Sequence, residues 1–114
     1  MKPSELERAT TECEAENYEA ARSLLIPLAE AGLAEAQCLL GNLFQLGLGV
    51  VADASQAAVW YERAAAQGSA LASNNLWCLY RTALRSLDPD EQKARHWYEE
   101  ARRLGFPHLP QEFY

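Results

Sequence analysis

No apolar run in this chain approaches the roughly 20 residues needed to cross a bilayer. The opening residues, Met1-Lys2-Pro3-Ser4-Glu5, lead into charged sequence and not into the apolar core of a leader peptide. Cysteine is scarce: Cys13, Cys38 and Cys78 are odd in number, widely spaced and without a CxxC pair. That usage fits reduced thiols better than a disulfide framework, so a cytoplasmic protein is expected. Histidine is scarcer still, with only His96 and His108. There is no HExxH pair, no phosphate loop and no nucleophile elbow, and Gly47-Leu48-Gly49 lacks the third glycine of a dinucleotide fingerprint. Neither Cys78 with His96 nor the scattered cysteines and histidines have a spacing that specifies a nucleophile or a zinc site. Glu99 and Glu100 are helix neighbours whose side chains point about 100° apart, which suits surface charge and not paired acid–base work. The expectation is a non-enzymatic chain with no cofactor and no metal.

Positive charge is also short, with 10 Lys+Arg against 16 Asp+Glu and a net charge of −6, which makes nucleic acid and anionic membranes poor partners. The imbalance is local. Residues 1–54 hold nine acids and three bases, whereas residues 55–114 hold seven of each. An acidic half could steer a basic partner, but the simpler reading is a surface that stays solvated.

What is present is a repeat. The chain is 49% hydrophobic and has three tryptophans, enough for one folded domain spanning 1–114. Ala36, Leu40 and Phe44 recur 36 residues later as Ala72, Leu76 and Tyr80. Ala57, Trp60, Tyr61, Ala64 and Gly68 recur 37 later as Ala94, Trp97, Tyr98, Ala101 and Gly105, and 36 earlier as Ala21, Leu24, Leu25, Leu28 and Gly32. Within a block the spacing is i, i+3, i+4, i+7, one broad apolar helical face. Small alanines beside large rings suit closely packed helices.

This periodicity predicts an all-α chain of six helices at roughly 4–15, 17–31, 34–46, 55–67, 70–84 and 90–104, arranged as a short α/α solenoid of three hairpins. Gly32, Gly68 and Gly105 fall where helices end, and Asp53 or Ser55 is placed to cap the helix that follows. Asp88-Pro89 is placed to start the last helix. Pro27 should bend or interrupt the second helix. Trp60, Tyr61, Trp97 and Tyr98 are expected in the core, and the proline-rich tail 106–114 is expected to fold back as a cap. With no array to extend, the chain reads as a complete three-hairpin domain.

One unit is specific enough to name. Ala34, Ala36, Leu40-Gly41, Gly47-x-Gly49-Val50, Asp53, Ala57, Trp60-Tyr61, Ala64-Ala65 and Gly68 closely resemble a Sel1-like repeat, a relative of the tetratricopeptide repeat. The match covers residues 33–69. Residues 70–105 are a degenerate copy, with Trp77 in place of Gly41 and Ala83 and Arg85 in place of the loop glycines. Residues 4–32 look like a generic tetratricopeptide hairpin. The resemblance implies a right-handed solenoid that serves as an adaptor binding a protein or peptide, often in bacterial signalling. It also leaves open an immunity or inhibitor protein that neutralises a secreted bacterial effector and, more remotely, an enzyme acting on β-lactams.

In stacks of this kind the first helix of each hairpin lines the concave side. Glu35, Cys38, Asn42 and Gln45 form a polar stripe at i, i+3, i+7, i+10, matched one repeat later by Leu71, Asn74, Cys78 and Arg81. These eight residues are the candidate floor of a partner-binding groove, with Arg81 suited to a carboxylate and Asn42 and Asn74 to a peptide backbone. The same spacing also describes the solvated face of two helices. The adjacent amides Asn74 and Asn75 are poor helix formers, to be explained either by a ligand or by an interhelical hydrogen bond. A monomer is expected.

Overall fold

The computed structural model describes residues 3–82 and 91–106. Within them lie six helices: α1 (Glu5–Glu14), α2 (Tyr18–Glu30), α3 (Ala34–Leu46), α4 (Ala54–Ala66), α5 (Ala70–Arg81) and α6 (Glu91–Arg103). Helices pack as the hairpins α1–α2, α3–α4 and α5–α6, and α2 on α3 and α4 on α5 join one hairpin to the next. The result is a short all-α solenoid about 44 Å long. The end of the expected 70–84 helix, the loop through residue 90 and the capping tail fall on residues 83–90 and 107–114, outside the described residues.

Short polar side chains start α1, α4 and α5. The Ser4 hydroxyl accepts the Glu7 N–H, Asp53 Oδ1 accepts the Gln56 N–H and the Ser69 hydroxyl accepts the Ala72 N–H, each at 3.1 Å. Of the two caps expected before α4, Asp53 is the one used. The ends share one solution. Gly32, Gly68 and Gly105 take φ of 99°, 92° and 83°. The residue after each donates its N–H back to the last turn: Leu33 to Leu28, Ser69 to Ala64 and Phe106 to Ala101. Helix α1 closes the same way through Glu16, at φ 62°, with Asn17 bonding back to Glu12.

Pro27 does not interrupt α2, which runs unbroken from Tyr18 to Glu30. Pro27 and Ser23, whose carbonyl loses its helical donor, both lie on the exposed face, where water can serve that carbonyl.

The interior forms two clusters that meet at α3. Ala9, Leu25, Ala29, Ala36, Leu40 and Leu43 fill the first. Tyr61, Leu76, Trp77, Leu79, Tyr80 and Tyr98 dominate the second, with alanines of α4, α5 and α6 between them. Tyr61 and Tyr98 are buried as expected, but Trp60 and Trp97 are only half-buried. Trp60 leans back onto the first cluster with the Arg63 guanidinium 4.7 Å above its ring, and Trp97 edges the second with His96 against it. Each tryptophan sits at the margin of its apolar face, with one packed side and one wet side.

Two glycines of the central hairpin are set by close approach. A Cβ on Gly41 would lie 2.6 Å from Tyr61 Cε1, so the phenol ring rests on the α3 backbone. A Cβ on Gly49 would lie 2.9 Å from the Tyr18 carbonyl carbon, so the α3–α4 loop touches the start of α2 in the preceding hairpin. Gly49 is also left-handed, at φ 71°, so two separate constraints exclude a side chain there.

Candidate functional site

A cleft of about 570 Å³ opens between the first helices of the hairpins. Thr10 of α1 forms one wall. Ala34, Glu35, Cys38, Leu39 and Asn42 of α3 form the floor, and Gln67, Gly68, Ser69 and Leu71 close the far side from the α4–α5 turn and the start of α5. The cleft exists because hairpin packing brings α3 between α1 and α5, and its lining includes the small residues Ala34 and Gly68.

Four of the eight sequence-selected residues line it: Glu35, Cys38, Asn42 and Leu71. Glu35 is exposed, and Leu71 is 47% exposed. Cys38 is only 5% exposed, its sulfur 3.5 Å from the Ser69 hydroxyl. It is a wall atom more than an accessible thiol, and burial pushes its pKa up, against thiolate chemistry.

Asn42 and Gln45 turn out to be held by the fold. The Tyr61 hydroxyl lies 2.5 Å from Asn42 Oδ1 and 2.7 Å from Gln45 Oε1. A phenol has one proton, so it donates to one amide oxygen, and the other amide is best served by turning its NH₂ toward the phenol oxygen. Asn75 Nδ2 lies 3.5 Å from Asn42 Oδ1, a long contact that supplies an interhelical reason for that residue. Burial pushes the Tyr61 phenol above its ordinary pKa, helped by the nearby Cys38 and Cys78.

The other four residues lie outside the cleft. Gln45 is one turn beyond Asn42, toward the Tyr61 hydroxyl. Asn74 and Cys78 are half-buried on α5, and burial raises the Cys78 thiol, partly offset by Arg81. Arg81 is exposed, but its guanidinium lies 5.2 Å from the Trp77 ring centroid. The stripe therefore splits into an exposed end at the cleft, Glu35 and Leu71, and an end occupied by the protein itself. Helical spacing identifies a face but cannot say whether a neighbouring helix or solvent covers it.

Sequence reasoning missed Thr10 and the Gln67–Ser69 turn. Thr10 lies in the hairpin with the weakest repeat pattern. Ser69 had a readable signal, a serine immediately after the terminal Gly68 and three residues before Ala72. It also missed Gln37, a buried amide whose Nε2 donates to the Ala29 carbonyl and whose Oε1 accepts from Gln67 Nε2, both at 3.0 Å. Gln37 ties α2, α3 and the end of α4 together behind the cleft.

A second depression, of about 430 Å³, lies among Glu62, Tyr80, Gln92, Lys93, His96 and Trp97, where the Tyr80 hydroxyl donates to Glu62. It lies on the α4–α6 side, away from the first cleft.

A sequence model described as the Sel1 repeat matches residues 34–69 and 71–106, more than half of the chain. The chain belongs to the Sel1-repeat family. Its fold is also that of a crystal structure of a Sel1 repeat protein from Oxalobacter formigenes. That protein is 28% identical, with a TM-score of 0.70 over 78% of this chain. The alignment covers 36% of that protein, so this chain spans little more than a third of its length. Both Sel1 repeats place their first helices, α3 and α5, at the cleft. Sel1 repeats generally mediate protein–protein interaction and are typically non-catalytic.

Proposed function

We propose that this Sel1-repeat chain is a non-enzymatic protein-binding module, an adaptor that takes a segment of its partner in the cleft between α1, α3 and α5. The observation that carries the reading is the cleft itself. It is built from the first helices of all three hairpins, it combines the apolar Leu39 and Leu71 with the polar Thr10 and Glu35, and Leu71 stands exposed at its edge. Many modest contacts with one or two apolar anchors suffice to hold a peptide segment in such a groove.

The test uses a photo-reactive side chain in place of Leu71 and, as a control of nearly equal exposure on α4, in place of Val59 (47% and 44% exposed). In lysate of the native host, the Leu71 position should yield a discrete cross-linked protein and the Val59 position should not. Equal labelling at both positions would remove the cleft as the site. A single stoichiometric partner from a neighbouring gene would turn the adaptor reading into that of an immunity or inhibitor protein.

A further inference from the structure

We infer that the segment bound in this cleft is extended and basic, with a lysine or arginine seated at Glu35 and an apolar side chain against Leu39 and Leu71. The inference rests on the protein-binding reading and adds the chemical class of its ligand.

Among the described residues, Glu35 is the one carboxylate lining the cleft, and no basic side chain lines it. On α1, Glu7 and Glu14 stand one turn to either side of Thr10, the residue that forms the wall. Helix geometry puts both about 40–60° around from it. Leu6 and Cys13, on the opposite flank of Thr10, pack into the core, so Glu7 and Glu14 take the outer rim. All three glutamates are exposed, and none makes an ion pair among the described residues. The nearest base in sequence, Arg8, is two residues from Thr10 and so points away from the wall.

Two fields oppose this. The α3 N-terminus, without a side-chain cap, and the α5 N-terminus, capped by Ser69, both open on the cleft, and each presents roughly half a positive charge. Together they offset about one carboxylate, so the negative sign of the cleft rests on Glu35 together with Glu7 and Glu14. The Cys38 thiol, with its pKa raised, stays neutral and does not alter the balance. The cleft is therefore an acidic trough with an apolar strip, which matches a cationic side chain beside an apolar one on an extended backbone.

Selection of a phage-displayed random dodecapeptide library on the full chain tests this. Enriched peptides should carry lysine or arginine at one fixed position with an apolar residue two or three away. Synthetic peptides of those sequences should bind roughly tenfold more weakly to Glu35→Lys and to Leu71→Ser. Glu35→Gln should weaken them less, and binding should fall as NaCl rises from about 50 to about 500 mM. All these positions are exposed, and unchanged thermal unfolding would confirm that the variants fold. Peptides that need Leu71 but ignore Glu35, or that carry no basic residue, would overturn the charge assignment and leave the cleft as the site. Peptides indifferent to both positions, or no enrichment at all, would overturn both the inference and the cleft reading.

Discussion

The two Sel1 units of this chain solve the same helix crossing with opposite materials. In the first, Gly41 gives up its side chain so that the Tyr61 ring rests on the α3 backbone, and the ring's hydroxyl ends between Asn42 and Gln45. In the second, the position of Gly41 is Trp77. Its indole meets Tyr98 at 5.4 Å between centroids and a 56° tilt. The positions of Asn42 and Gln45 are there Cys78 and Arg81, and Arg81 caps the indole. Three residues change together around a tyrosine that stays, from glycine with an amide clamp to an aromatic stack with a cation over it. A repeat can thus lose its signature glycine and keep its hairpin, provided the ring that used the space finds a new partner. The buried polar position behind the crossing follows the same logic. Gln37 spans three helices, whereas the Ser73 hydroxyl donates to the carbonyl of Ser69, the N-cap of its own helix.

If the two solutions are integral sets, importing one member alone should fail. Trp77→Gly, which makes the second unit look like the first, should have the largest effect. It loses about 3–5 kcal/mol for the ring and about 1 kcal/mol for glycine in a helix interior, measured by denaturant unfolding. A variant that stays fully folded with an unchanged midpoint would show that Tyr98 does not depend on the indole. Gly41→Ala comes next. The new methyl meets the Tyr61 ring, and the overpacking cost of about 1–3 kcal/mol should exceed the helix gain of about 1 kcal/mol. A rise in the melting temperature would mean that the ring slides away freely.

Tyr61→Phe keeps the packing and removes the clamp, at a cost of about 1 kcal/mol near neutral pH. It also has an alkaline signature. The folded phenol pKa lies above its unfolded value, so its contribution is complete below about pH 10 and is lost as pH rises beyond it. The Tyr61→Phe variant should therefore lose stability less steeply with pH there than the wild type. Parallel curves would separate the hydroxyl from the stability of the crossing. Smallest is Arg81→Ala, about 0.5–1 kcal/mol for an exposed cation over a ring, with loss of its salt dependence as the finer readout.

The crossing residues show how far the sequence could be read. Ala57, Tyr61 and Ala64 were legible because an apolar face repeated at two distances allows little else. Asp53 and the three terminal glycines were legible because few residue types do their jobs. The amides were not. Asn42 and Gln45 are polar at groove spacing, and only the position of the Tyr61 hydroxyl, reaching across from the next helix, shows that they are already occupied. Trp60 and Trp97 were placed too deep for a related reason: periodicity ranks a face but not the depth of each residue on it. The candidate cleft was half legible, through Glu35 and Leu71 at its exposed end. The wall from α1 was not, because Thr10 belongs to a hairpin whose repeat pattern has faded.

The loop at Gly49 gives the molecule a direction. By resting on the backbone at Tyr18 it overlaps the central hairpin onto the one before it, so the first joint is lapped as well as faced. Force or heat that peels α1 and α2 away must also lift that loop from the Tyr18 backbone. Opening of the N-terminal hairpin and loosening of the α3–α4 turn should then be one event. A bound segment that grips both α1 and α3 would act as a second fastener across the same seam.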